Sequence, residues 1–176
     1  MSSTVLTSND PSAQLDARAG KYLTFHLARE EFGIRVLKVR EIMGLQEITA
    51  VPQTPPHIRG VINLRGKVVP VVDLRVKFGL TATEYTQRTC IIVTQVQNGS
   101  TPVLVGIIVD GVSEVLNLAA SEIEDTPEFG EDIGSRYLLG MAKSKGKVKI
   151  LLDIDRALSV EELHELNAGH AQASRS

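Results

Sequence analysis

The stretch "GIRVLKVREIMGL" (33–45) can be written above "GIIVDGVSEVLNL" (106–118), and the two agree in kind at most positions. Gly33 falls on Gly106, Ile34 on Ile107, Val36 on Val109, Val39 on Val112, Glu41 on Glu114, Ile42 on Val115, Met43 on Leu116 and Leu45 on Leu118. Further along, "GKVVPVVDL" (66–74) lies over "GKVKILLDI" (146–154). A repeat of this length means one supersecondary unit built twice. The spacing between copies grows from 73 to 80 residues, because the second copy carries the longer connection "EDTPEFGEDIGS". An insertion tolerated in one copy alone belongs on the surface, so the segment 122–135 is expected to be a loop.

Around these anchors the chain reads as short strands: "KYLTFHLA", "FGIRV", "EITAV", "RGVINL", "KVVPVVDL", "TCIIVTQV", "PVLVGIIVD", "RYLLGMAK" and "KVKILLDI". They are rich in Val and Ile and are punctuated by Gly, Pro, Asn and Asp, which is the pattern of an all-β fold. About five short strands per copy cannot bury both faces of an open sheet, whereas a curled barrel hides its inner face and most of its edges. The expectation is two five-stranded barrels, spanning roughly 21–80 and 87–155 within a folded region 20–166. Helix is expected in two places. "VLKVREIMG" has apolar residues at 36, 37, 39, 42 and 43, the spacing of a one- or two-turn helix. "DIDRALSVEELHEL" reads as a C-terminal helix reaching 157–166, with Ser159 and Glu162 spaced as a capping box. Residues 1–19 and 167–176 are polar, small and aperiodic, and are expected to be disordered.

Composition narrows the function. Nineteen basic and 21 acidic residues give a net charge of −2, so no chain-wide positive field attracts nucleic acid. The single cysteine, Cys90, cannot close an intrachain disulfide, and no Cys/His cluster has metal-ligand spacing. No apolar run approaches the roughly 20 residues that span a bilayer, and the start lacks a signal peptide's basic and apolar regions. A cytoplasmic protein without metal or cofactor is expected.

Motifs for chemistry are missing. "GVINLRGKV" (60–68) has one residue more between its glycines than a P-loop allows, and Val68 stands where a Mg²⁺-binding hydroxyl is needed. His26, His57, His164 and His170 are scattered over a strand, a loop, a helix and a tail, with no nucleophile–base–orienter set. Cys90 in "RTCIIV" reads as a small apolar core residue. Surfaces remain. Positions shared by the two copies, such as Gly66, Lys67, Asp73 and Leu74, read as architecture, the aspartate closing its strand by bonding local backbone N–H groups. Arg65 has no counterpart in that reading, since "MAKSKGK" (141–147) looks like a looser, lysine-bearing turn. A guanidinium held in a stiff hairpin is suited to a carboxylate or carbonyl partner.

"FGIRVLKVREI", "VPQTPPHIRGVINLRGKVVPVVDLRVKFGL" and "VLVGIIVDGVSEVLNL", in this order, resemble the CheW chemotaxis coupling-protein family from about Lys21 to Leu166. The resemblance implies two intertwined SH3-like five-stranded barrels and a non-enzymatic adaptor. Such an adaptor ties the cytoplasmic hairpin tip of chemoreceptors to the regulatory domain of the histidine kinase CheA, with other copies of the chain as possible ring partners. It implies a receptor-binding groove around Arg65, with Asn63, Gly60 and Gly66 supporting the hairpin, Glu41 pairing with Arg65, and Gly106 and Val109 lining the second barrel's side. Val39, Ile42 and Met43 match positions of kinase contact. It further implies recruitment to membrane-associated receptor arrays without membrane insertion. The alternative from another class is an SH3- or OB-like barrel that binds a small molecule or single-stranded nucleic acid. Only four Phe, three Tyr and no Trp are present for base stacking, which counts against it.

Overall fold

The computed structural model describes residues 17–80, 84–126 and 137–158. Eleven strands are found there: β1 (Gly20–Leu27), β2 (Glu30–Arg35), β3 (Val39–Gly44), β4 (Ile58–Leu64), β5 (Lys67–Asp73), β6 (Cys90–Asn98), β7 (Thr101–Val109), β8 (Gly111–Leu118), β9 (Ile123–Glu124), β10 (Leu138–Ser144) and β11 (Lys147–Leu152). Two single-turn helices, α1 (Leu74–Lys77) and α2 (Ile154–Ala157), follow β5 and β11. Each is started by the aspartate that ends the strand. Asp73 accepts the N–H of Arg75, and Asp153 accepts those of Asp155 and Arg156. Side-chain oxygens at this position satisfy the orphan donors of a first helical turn.

The strands form two sheets, in the orders β8-β1-β2-β11-β10-β9 and β3-β6-β7-β5-β4. Replacing each strand by its repeat partner turns one order into the other. β8, β1, β2, β11 and β10 of the first sheet stand where β3, β6, β7, β5 and β4 stand in the second. Even the short β9 has a counterpart, since Thr49 makes an isolated bridge to Val61 just as Glu124 pairs with Met141. The copies exchange strands at two parallel crossings: Gly33 lies opposite Leu151 and Gly106 opposite Val71. Each sheet therefore takes its first hairpin from one copy and its remaining strands from the other, and the two SH3-like units are intertwined.

Burial follows this exchange. The second sheet has a small core of its own around Ile62, Val69, Val71, Ile91, Val93 and Ile108. The first sheet's own core is Tyr22, Leu118, Ile123, Ala142 and Leu151. The largest cluster belongs to both, bringing Phe25, Leu27, Phe32 and Ile34 of the first sheet against Ile92, Val96, Val105, Ile107 and Val109 of the second. Strand β6 is covered on both faces, Ile91 and Val93 facing one core and Ile92 and Val96 another, which explains the apolar run at 90–93.

Two carboxylate clamps tie the units at this seam. In one, Asp110 accepts Arg75 Nη1 at 2.9 Å and the Ala28 N–H at 2.6 Å, while Arg75 Nη2 also donates to Asp73 at 3.0 Å. Arg75 and Asp73 are buried, and hydrogen bonding to Asp73 holds the Arg75 pKa above its ordinary value despite burial. In the other, Asp155 accepts Lys38 Nζ at 2.7 Å and the Gln97 N–H at 2.9 Å, and both side chains remain partly exposed. The helix positions 75 and 155 are equivalent in the repeat, yet the charges are exchanged: the helix supplies the cation in one and the carboxylate in the other, and Lys38 stands one residue beyond the position equivalent to Asp110.

Three expectations are corrected. Residues 36–44 are not helical: Val36–Lys38 form one 3-10 turn and β3 then pairs with β6, Ile42 opposite Ile92. Pairing of β-branched residues on a sheet edge overrides the helical spacing. "EITAV" yields a single bridge rather than a strand. Residues 17–19, placed in the disordered extension, are held in the fold, with Arg18 bonded to Asp125 and to the Leu139 carbonyl at 3.0 Å each. The expected capping box at Ser159 and most of the helix 157–166 lie outside the described residues, as do both tails and 127–135 of the long connection; α2 itself ends at Ala157.

Two stability measurements check this account. Replacing Arg75 with Leu leaves the buried carboxylate of Asp73 with Arg59, at 3.5 Å, as its remaining arginine partner among the described residues, and urea unfolding is expected to show a loss of about 3 kcal/mol, whereas Lys38→Ala at the partly exposed clamp costs about 1 kcal/mol or less. Gly60 has φ 141° and a Cβ there would sit 2.0 Å from the Thr49 carbonyl oxygen, while Gly66 has φ 85° and open space around it. Gly66→Ala is expected to cost about 1–2 kcal/mol from its left-handed backbone alone, and Gly60→Ala more than that, because the backbone around Thr49 must also move.

Candidate functional site

The β4–β5 hairpin turns through Arg65 and Gly66, with φ of 51° and 85°. Positive φ at both central residues is the signature of a type I′ turn, whose twist matches that of the flanking strands. Asn63 Oδ1 accepts the Gly66 N–H at 2.8 Å and fixes the loop. From this tip the Arg65 guanidinium donates to Glu41 Oε1 on β3 at 3.0 Å. Three quarters of the Arg65 side chain is exposed, against 30% for Glu41. A pair so open to water contributes only about 0–1 kcal/mol to folding, so its geometry is available for contact without being needed for the fold.

The second hairpin overturns the reading of "MAKSKGK" as a looser turn. Lys145 and Gly146 have φ of 54° and 78°, and Ser144 faces Lys147 as Leu64 faces Lys67. The same residue-glycine turn chemistry gives the same turn. Lys145 Nζ then donates to Glu114 Oε2 at 2.8 Å, repeating the Arg65–Glu41 pair with a different cation. Arg65 is thus one member of a related pair, although its bidentate-capable plane and the Asn63 brace are particular to its own hairpin.

Apolar exposure repeats too. Ile42 and Val115 are 46% and 54% exposed, and Val68 and Val148 are 64% and 45% exposed. These are equivalent positions on β3 and β8 and on β5 and β11. Each unit therefore presents an acid, a base and two aliphatic side chains outward. Strands β3 and β8 are also the outer strands of their sheets, and an outer strand with apolar side chains invites a partner.

Of the residues expected to contact partners, Arg65, Asn63, Gly66, Glu41 and Ile42 lie at this surface. Val39 and Met43 are half-buried against the shared core and the second sheet's core respectively. Gly60 is buried beneath Thr49. Gly106 and Val109 do not line a surface: Val109 is fully buried in the shared core, and a Cβ on Gly106 would lie 2.9 Å from Ile91 Cγ2. Both belong to β7, which is covered on both faces. The reading of the sequence missed Val68, Val148, Val115 and the Glu114–Lys145 pair. Projecting Glu41 and Arg65 through the repeat would have found that pair. Cys90 is half-buried, and burial raises its thiol pKa, which keeps it a poor nucleophile.

Residues 21–162 match the CheW-like domain. The chain is similar to the chemotaxis protein CheW of Klebsiella aerogenes, 43% identical over 143 residues that cover 81% of this chain and 84% of that one. The chemotaxis protein CheW of Bacillus subtilis is 34% identical over 141 residues, covering 80% of this chain and 88% of its own. Among solved structures, the scaffolding protein TtCheW from Thermoanaerobacter tengcongensis matches with a TM-score of 0.72 at 32% identity, covering 82% of this chain and 95% of that one. The small-molecule and nucleic-acid alternative draws no support from these relatives. With its duplicated, strand-exchanged β units and outward contact patches, the chain belongs to the CheW family of non-enzymatic chemotaxis scaffold proteins.

Proposed function

We propose that this chain couples the cytoplasmic hairpin tip of chemoreceptors to the regulatory domain of the CheA histidine kinase, and that the Arg65–Glu41 patch is its receptor contact. The observation that carries the reading is Arg65 itself: braced in a type I′ turn, ion-paired at 3.0 Å and largely exposed. A helical tip lays an apolar side chain against Val68 while Arg65 fixes its register with a charge-assisted hydrogen bond. Kinase contact falls to the exposed apolar positions of the outer strands, with Ile42 the member of the expected set that reaches solvent. Contacts to the matching faces of other copies are heterologous and close into rings when the rotation permits. The working location is the cytoplasmic face of receptor arrays; no helix among the described residues is long and apolar enough to cross a membrane.

Co-sedimentation with receptor-bearing membranes and kinase tests the proposal. Arg65→Glu sets a second carboxylate against Glu41, and is expected to lower receptor recruitment about tenfold or more while the melting temperature stays near that of the parent. Recruitment unchanged in a folded variant would remove Arg65 from the interface.

A further inference from the structure

A cleft of about 480 Å³ opens at the seam where α2 faces the 3-10 turn Val36–Lys38. The Lys38–Asp155 clamp crosses it, Arg35 and Arg40 line it, and Leu37 stands on its lip with 80% of its surface exposed, more than any other large apolar residue described. The repeat tells which of these the architecture requires. In the other copy the place of Leu37 is held by Asp110, which turns inward to Arg75. Arg35 corresponds to the buried Ile108 and Arg40 to Ser113. None of the three is a fold requirement.

Two of the three carry charge, and neither charge is held in a salt bridge among the described residues. Arg35 Nη2 donates to the Ala17 carbonyl at 2.8 Å, and Arg40 Nε donates to the Gln95 side-chain oxygen. Neither guanidinium meets a carboxylate among the described residues, and each has five N–H donors of which these bonds use one. The cleft's own acids are engaged: Asp153 caps α2, and Asp155 holds Lys38 and the Gln97 N–H. A leucine tooth between two unpaired guanidinium groups is complementary to one chemistry, an acidic segment bearing an apolar side chain.

We propose that this cleft is a docking site for a short acidic protein segment, whose apolar side chain packs on Leu37 and whose carboxylates bond Arg35 and Arg40. The site shares no residue with the Arg65–Glu41 patch and stands independently of the receptor contact assigned to that patch. The closed Lys38–Asp155 clamp fixes the distance between the cleft walls, so the segment meets a preformed surface.

Fluorescence anisotropy on the full-length protein tests this, with a fluorescein-labelled peptide of repeating Glu-Leu-Glu units and its Lys-for-Glu counterpart as probes. Saturable binding of the acidic probe alone is expected, weakening as salt rises. Arg35→Glu and Arg40→Glu should each reduce affinity about tenfold and Leu37→Ser by about fivefold, with Arg65→Glu unchanged and all variants retaining the parent's circular dichroism. Absence of saturable binding overturns the proposal, as does equal affinity in the Arg35→Glu and Arg40→Glu variants. Loss of binding in Arg65→Glu instead would move the acidic segment to the other patch and equally refute this one.

Discussion

Everything in this fold depends on two parallel strand crossings, β2 on β11 and β7 on β5, where each half of the chain completes the other's sheet. Parallel neighbours cannot be joined by a tight turn and require a long connection; here residues 74–100 join β5 to β7, and residues 36–146 lie between β2 and β11. The largest hydrophobic cluster sits where the halves interlock, drawing residues from both sheets. Neither unit is free to open without exposing that shared core, so the pair behaves as one body whose outer faces are held in fixed relation. An adaptor gains from such rigidity, because partners seated on separate patches then have a defined geometry relative to each other.

The pseudo-twofold arrangement also separates what the fold demands from what it merely permits. The aspartates at 73 and 153 and the residue-glycine turns at 65–66 and 145–146 recur because a helical first turn and a type I′ hairpin need them. The clamps keep the helix positions 75 and 155 while exchanging sign, so the fold does not fix which element supplies the cation. They differ in depth: Arg75 and Asp73 are buried, so removing one partner leaves a charge in a low-dielectric interior, while Lys38 and Asp155 remain partly in water. One clamp serves cohesion. The other adds little stability, and around it lie the residues that the repeat does not explain.

The legible part of the sequence was whatever repeats at apolar and glycine positions. The duplication, the all-β class and the strand-ending role of Asp73 came from the alignment of the two copies and from local turn chemistry. The Glu41–Arg65 pair came from family resemblance, since the residues are 24 apart and nothing in their spacing brings them together. The helical reading of 36–44 failed because β3 is an outer strand, whose partly exposed pattern of apolar residues imitates helical spacing over so few residues. Val109 was placed at the surface by family resemblance, and the β7 run, buried on both faces from Val105 to Val109, gives no alternation against which that placement could be checked. The Arg75–Asp110 clamp joins residues 35 apart across the seam, and only the three-dimensional exchange of strands makes them neighbours.

Function in such a molecule is a matter of relative affinity. A rigid body without chemistry passes a signal only if its partners bind one state of the assembly more tightly than another. The exposed pairs at Arg65 and Lys145 suit that task because each is weak alone: a contact worth a kcal/mol or so can be exchanged for a partner's carboxylate without disturbing the shared core. Several such contacts on one stiff frame act together through effective concentration, so an array of individually weak junctions assembles firmly while each junction stays adjustable. A buried, tightly satisfied pair such as Arg75–Asp73 could not serve in this way, since breaking it would cost a large part of the fold's stability. The division of ion pairs into buried ones that hold the seam and exposed ones that can be exchanged without disturbing the core is therefore the physical basis on which this fold can be both rigid and responsive.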